Sequence, residues 1–235
     1  MSKVFLDKRL LAAAQLVRPG SCAADIGCDH GKLSAYLVQT GICSRVIAAD
    51  VRSGPLSAAK RLVEECGLSA SIDCRLGDGL DPVKPGEATE IVIAGMGGET
   101  IAGILDRAPW VKDAALGFIL VPASAHSFLR RWLCQNGFAL VKEEAVCEAG
   151  HWYVVMRAEY TGHCFEPDAA FCVGGLQLGR HTPQAGGYLA VMANRLKKEL
   201  CGKQKAGRYQ DLRWLRSLVQ QLEQEVALCQ KQTKF

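Results

Sequence analysis

The chain reads as an α/β protein: a doubly wound, mostly parallel sheet with an antiparallel edge hairpin, followed by a C-terminal helical domain. Three observations lead there. Between Ser21 and Asn136, short apolar runs alternate with amphipathic segments, the pattern of β-α units that build a parallel sheet. The runs Phe138–Cys147 and Trp152–Tyr160 then follow one another with no room for a helix, so they pair as a hairpin at the sheet edge. Beyond Thr182 the apolar spacing changes to three and four, as in helices that pack side by side.

Each element has its own signal. Leu6 to Val17 has helical spacing and stops at Pro19-Gly20. Ser21–Ile26 is the first strand, followed by a helix from Gly31 to Thr40. Val46–Ala49 ends at Asp50, and Pro55 opens a helix through Glu65, because proline fits an early helical position. Ser71–Cys74 is the third strand, closed by Gly77-Asp78-Gly79. Ile91–Ala94 is the fourth, running into Gly95-Met96-Gly97-Gly98 and a helix to about Arg107. Gly117–Val121 is the fifth, before a helix from Ala125 to Asn136 that Gly137 stops. Glu148–His151 turns the hairpin, and Thr161–Thr182 reads as irregular. Helices then cover Pro183–Leu200 and Gly207–Lys231, joined by a polar turn at Cys201–Ala206. Leu212, Leu215, Val219, Leu222, Val226 and Cys229 form a seam on the second, matched by Leu189, Met192 and Leu196 on the first. Two such helices predict an antiparallel coiled coil, and with it two domains, 1–160 and 161–235.

At 235 residues the chain is long enough to bury a sizeable core, and 49% apolar with 22% charged residues is a globular composition. Lys3, Asp7, Lys8 and Arg9 break up the N-terminal stretch, so no secretory leader is expected. No apolar run approaches the ~18 residues of a membrane span. The eleven cysteines are odd in number and lack a Cys-x-x-Cys pair. Cys22, Cys43, Cys74 and Cys147 lie in or beside apolar runs, where a thiol packs as a small hydrophobe. Reduced thiols, no metal site and a cytoplasmic location are expected. The net charge of +4 is uneven: residues 183–235 hold ten Lys or Arg and four Asp or Glu, while the first 182 balance at −2. A basic tail on a near-neutral body suits a polyanionic partner as well as a solvated helix surface.

The stretch Ala23–Leu37 ends a strand near Asp25, sets Gly27 and Gly31 four apart, and places a carboxylate, Asp29, between them. Ligands of doubly wound sheets bind outside the C-terminal strand ends, where the strand order reverses. The tips after Ile26, Ala49, Cys74 and Ala94 therefore surround one crevice. A pyrophosphate there would be repelled by Asp29 at about 4 kcal/mol, for unit charges ~4 Å apart at an effective dielectric of 20. G-x-G-x-x-G is also absent, which argues against NAD-linked redox chemistry. A cationic cofactor fits instead: S-adenosyl-L-methionine carries a sulfonium and an α-ammonium. Asp25, Gly27, Cys28, Asp29 and Gly31 make its first turn, and Asp50 with Val51 receives the ribose hydroxyls. Asp78, in the Gly77-Asp78-Gly79 turn, is placed to accept from the adenine amine, and Ala94, Gly95 and Met96 follow the fourth strand at the same crevice. Taken singly, a strand-end Asp often caps a helix and Gly-Asp-Gly is a common turn. Acids on three successive strand ends point to a site.

With these motifs in view, the chain resembles a known family. "ADIGCDHGKLSAYL", "RLGDGL", "IAGMGGETI" and "FLRRWLCQNGFALVKEEAVCEAGHWYVV" together resemble the bacterial TrmK family, over about Leu6 to Tyr160. The resemblance implies a Rossmann-like class I methyltransferase fold that uses S-adenosyl-L-methionine to methylate N1 of adenine 22 in tRNA. It also implies a coiled-coil extension at the C-terminus. Three positions depart from the family pattern. Gly31-Lys32-Leu33-Ser34 stands where Ala-Tyr-Leu-Pro is usual, Asp50 where Glu is common, and Val121-Pro122-Ala123 where Gln-Pro-Asn is found.

N1 is also a reasonable target on physical grounds. Enzymes that methylate the exocyclic amine of adenine carry Asn/Asp-Pro-Pro-aromatic after the fourth strand, and this chain has Ala94-Gly95-Met96-Gly97-Gly98 there. The N1 lone pair lies in the ring plane and needs no base before attack, so alignment can supply roughly 7–11 kcal/mol of barrier reduction. Asp29 and His30 are the expected side chains nearest the transferring methyl, with Met96 packing on the target base and Gly97-Gly98 bordering it. His30 can equally brace the turn. Arg195, Lys198, Lys203, Lys205 and Arg208, with Lys197, Arg213 and Arg216, are expected to track tRNA phosphates along the helical domain. A monomer or weak dimer is expected. Two other readings stay open: a methyltransferase for another RNA position, small molecule or protein, and a non-catalytic RNA-binding protein with a vestigial fold.

Overall fold

The computed structural model describes residues 3–206 and 212–232. The elements run α1 (Lys8–Leu16), β1 (Ser21–Ile26), α2 (Lys32–Gln39), β2 (Cys43–Asp50), α3 (Ser53–Glu65), β3 (Ile72–Leu76) and β4 (Glu90–Ala94). They continue with α4 (Gly98–Asp106), β5 (Gly117–Val121), α5 (His126–Gln135), β6 (Phe138–Glu148), β7 (His151–Tyr160), α6 (Ala169–Gly174), α7 (Pro183–Lys205) and α8 (Leu212–Gln232). Seven strands form one sheet in the order β3-β2-β1-β4-β5-β7-β6. The first five are parallel, and β7 joins β5 antiparallel to bring in the edge hairpin. The order reverses between β1 and β4, so the crevice at that switch point is the expected ligand site.

Alternation along each strand divides the core between the two faces of the sheet. Ala24, Ile26, Ile91, Ile93, Phe118 and Leu120 face the side covered by α4 and α5. Ala23, Val46, Ala48, Val92, Ile119 and Val121 face the side covered by α1, α2 and α3. Central strands covered on both faces read as continuous apolar runs, which is why they were visible in the sequence. The hairpin turns on Ala149 and Gly150, both with positive φ (47° and 81°), the geometry of a two-residue primed turn.

The C-terminal part differs from the sequence expectation in two places. Within Thr161–Thr182 a short helix, α6, forms because the Asp168 side chain accepts the Phe171 N–H at 2.7 Å as an N-cap. The expected turn at Cys201–Ala206 is instead the last part of α7, where Lys203 reaches back to Glu199 at 2.9 Å and Lys203 and Lys205 sit in the final turn. Gly186 faces Cys229 while Lys197 pairs with Glu223, so α7 and α8 run antiparallel. The seam residues Leu212, Leu215, Val219, Leu222 and Cys229 are buried. No helix among the described residues is long and apolar enough to cross a membrane. Among the described residues the cysteines form no disulfide.

Candidate functional site

The crevice is built from strand tips. At the end of β1 the Asp25 carboxylate is only 3% exposed and accepts a hydrogen bond from Ser34 Oγ at 2.6 Å. Ser34 is wholly buried in α2, and this bond accounts for a hydroxyl at that depth. Burial pushes the Asp25 carboxyl up to about 6, with Ser34 acting downward and the nearby Asp50 upward. The chain then turns through Gly27 at φ 71°, where a Cβ would collide with Met96 Cε. Burial likewise raises the Cys28 thiol, so it is no nucleophile.

At the end of β2, Asp50 fastens two tips together. One oxygen accepts the Asp29 N–H at 3.1 Å and the other the Arg52 N–H at 2.8 Å. A carboxylate offers about four lone-pair positions, so capacity remains for a pair of ligand hydroxyls. Asp29 is held at φ 50°, an unusual backbone for a side-chain-bearing residue. Its carboxylate is 59% exposed, with Arg52 Nη2 at 3.7 Å and His30 Nε2 at 3.8 Å. After β3, Asp78 lies beside Arg107 Nη2 at 3.0 Å.

These tips enclose a cavity of about 590 Å³, within the range of small-ligand sites. Asp25, Gly27, Cys28, Asp29 and His30 line it from the first tip, and Asp50 and Val51 from the second. Gly77, Asp78 and Gly79 line it from the third, and Ala94, Gly95 and Met96 from the fourth. Gly31, Gly97 and Gly98 lie outside the lining. Gly31 packs on Ala59, Gly97 bridges to Ser124, and Gly98 starts α4 against Ala125 and Leu129 of the neighbouring turn and α5. Sequence reasoning missed the contribution of α1, which brings Asp7, Arg9 and Leu10 to the cavity, and the basic residues Lys32 and Arg52. Asp7 signals a helix start, but nothing local in the sequence carries that helix to the crevice. A second cavity, about 690 Å³, opens between α7 and α8 around Gly186, Gly187 and Ala190 and holds none of the strand-tip acids.

The donor set fits S-adenosyl-L-methionine. Two buried carboxylates and two more at the mouth suit its cationic groups and its ribose and adenine donors. Among the described residues, no group of His, Cys, Asp or Glu is arranged to hold a metal ion. Away from the crevice, Arg195, Lys198, Lys205, Arg213 and Arg216 are exposed. Lys197 and Lys203 are paired with Glu223 and Glu199. Arg208 lies outside the described residues.

Residues 6–156 match the methyltransferase domain family. The tRNA (adenine(22)-N(1))-methyltransferase of Bacillus subtilis is 41% identical over 162 residues, 68% of this chain and 67% of that relative. The crystal structure of the B. subtilis M1A22 tRNA methyltransferase TrmK superposes with a TM-score of 0.76 at 31% identity, covering 97% of this chain and 99% of that one. Streptococcus pneumoniae Sp1610 in complex with S-adenosyl-L-methionine gives a TM-score of 0.76 at 29% identity, covering 94% and 100%. The fold is that of a methyltransferase domain. Within that class, the chain belongs to the family of the tRNA (adenine(22)-N(1))-methyltransferases.

Proposed function

We propose that this protein transfers a methyl group from S-adenosyl-L-methionine to N1 of adenine 22 in tRNA. The observation that carries the reading is the set of four carboxylates, Asp25, Asp29, Asp50 and Asp78, around one cavity at the switch point of the sheet. When bound, the cofactor supplies an electrophilic methyl group on sulfonium sulfur. Asp50 holds the ribose hydroxyls, Asp78 and the glycines beside it the adenine edge, and Asp25 faces the cationic amine. Cys28, Val51 and Ala94 shape the walls. Gly27 keeps the floor low enough for Met96 to reach across it.

Asp29 and His30 stand at the cavity mouth, free to meet an incoming base. Asp29 accepts a hydrogen bond from the N6 amine, which feeds electron density into the ring as N1 becomes alkylated and cationic. Met96 packs against the base, while Gly97 and Gly98 shape the approach by letting the start of α4 run close to α5. N1 lies on the pairing edge, so the target base must leave its stack to reach this mouth. The exposed cations of α7 and α8 meet the tRNA backbone.

Incubation with unmodified tRNA and labelled S-adenosyl-L-methionine, followed by modification mapping, tests the reading. Label at N1 of adenine 22 is expected; label elsewhere, or none despite cofactor binding, refutes it. Asp29→Asn should lower kcat roughly ten- to a hundredfold with little change in cofactor affinity, the scale of a charge-assisted hydrogen bond. Full turnover by that variant removes Asp29 from the mechanism.

A further inference from the structure

We propose that Trp214, in the first turn of α8, is a stacking platform for an unpaired base of the RNA other than the adenine that is methylated, an inference that rests on the RNA substrate proposed above. The chain has four tryptophans. Trp110, Trp132 and Trp152 are half-buried and pack against the hydrophobic core, whereas Trp214 stands apart from it, 46% exposed. A single exposed apolar residue is ordinary on a protein surface. What sets Trp214 apart is its company. Arg213 precedes it and Arg216 follows within the same turn, both exposed. Among the described residues, neither has a carboxylate partner. Residues 198–216 hold six Lys or Arg against two acids, whereas residues 217–235 hold two of each. The positive charge of the helical pair is gathered at the end that carries the indole.

That end extends past the core. Leu196 is the last residue of α7 packed on the main hydrophobic cluster, and Leu218 is the first of α8 to join it. From Leu196 to Lys205, where α7 ends, the helix runs on for about 14 Å at 1.5 Å per residue. No residue of α8 lines the crevice, so the base that Trp214 meets is not the one at its mouth. An indole offers a flat π-face on which any base can stack, and RNA is commonly held through unpaired bases on aromatic side chains. The two guanidiniums beside it suit the phosphates that flank such a base. A protein partner or a lipid surface would need a broader apolar area. Here the exposed neighbours along α8 are Ser217, Gln220 and Gln221. A second copy of the chain would bring the same positive charge to the contact and be repelled.

The test is filter binding of tRNA across a salt series. It uses the full chain, its Trp214→Ala and Trp214→Phe variants and the Arg213→Gln/Arg216→Gln double variant, with thermal melts to establish folding. Trp214→Ala should weaken binding about five- to a hundredfold at every salt concentration. Its slope against log salt should not change, because stacking releases no counterions. Trp214→Phe keeps a π-face and should fall between. The double variant should flatten the slope by about 1.4–1.8, at 0.7–0.9 per phosphate. In methyl transfer, Trp214→Ala should raise KM for tRNA and hold both kcat and S-adenosylhomocysteine affinity. Unchanged tRNA affinity in Trp214→Ala overturns the platform, and so does a slope that flattens with it. A dimer that depends on Trp214 in sedimentation, or Trp214-dependent binding to phosphatidylserine vesicles, with tRNA affinity intact, overturns it too. An unsubstituted chain that neither binds nor methylates tRNA overturns the proposed function and this inference together.

Discussion

Asp25 shows how a single residue can hold stability in reserve for a ligand. Its carboxyl titrates near 6 because burial penalises the anion, whereas an exposed aspartate titrates near 3.9. A group raised in the folded state favours folding below its unfolded value, and that benefit is lost as the pH rises through the folded value. At neutral pH the ionised Asp25 therefore costs roughly 3 kcal/mol, at 1.36 kcal/mol per unit. A cationic amine beside it offsets that cost. Asp25→Asn should melt higher than the parent at pH 7.5, with the gap closing toward pH 5, since Ser34 can still donate to the amide oxygen. The same variant should bind S-adenosylhomocysteine more weakly, and the parent's affinity should fall as the pH drops below about 6. Calorimetry at three pH values decides it. A variant less stable than the parent at pH 7.5 contradicts the assignment.

At the scale of elements, the junction between the sheet and the C-terminal helices rests on a buried ion pair. Arg130 of α5 and Glu143 of β6 are both wholly buried and meet at 2.6 Å. Arg130 also donates to the Cys172 and Val173 carbonyls at 2.9 Å and to Tyr188 Oη of α7 at 3.1 Å. Glu143 in turn accepts the Leu176 N–H at 2.6 Å. Removing one partner strands the other charge, so Glu143→Ala should cost roughly 3–5 kcal/mol in urea unfolding. Tyr188→Phe, which removes a neutral hydroxyl that accepts from Arg130 and donates to the Val173 carbonyl, should cost about 1–2 kcal/mol; the reverse ranking would mean that the charges are solvated. None of this junction was legible in the sequence, where Arg130 and Glu143 look like surface residues of an amphipathic helix and an edge strand. What was legible followed from local rules. The strands and the helices between them showed through apolar periodicity, and Asp25, Asp50 and Asp78 because each stands at or just beyond the end of a strand. The approach of Arg9 to the crevice and the short α6 depended on where distant elements pack, and residue spacing does not encode that.

Over the whole molecule, one hydrophobic cluster runs from the sheet into the C-terminal helices, joining Phe118, Phe138 and Met156 to Tyr188, Leu189, Leu218 and Leu222. The helical pair is therefore fixed on the catalytic part, and any charge it displays has a set direction relative to the crevice. Arg195, Lys198 and Lys205 are exposed and, at offsets of three and ten, share one face of α7. Lys197 and Lys203 are already neutralised by glutamates, so they are poor candidates for phosphate contact. Replacing Arg195, Lys198 and Lys205 with Gln together should weaken tRNA binding and flatten its dependence on log salt by about 2–3 units, at 0.7–0.9 per phosphate released. Cofactor affinity should not move, because these side chains lie outside the lining of the crevice. Filter binding of tRNA across a salt series, paired with calorimetry of S-adenosylhomocysteine, measures both. An unchanged salt slope places the RNA on another face, and a parallel loss of cofactor affinity means that the substitutions disturbed the fold instead of the RNA contact.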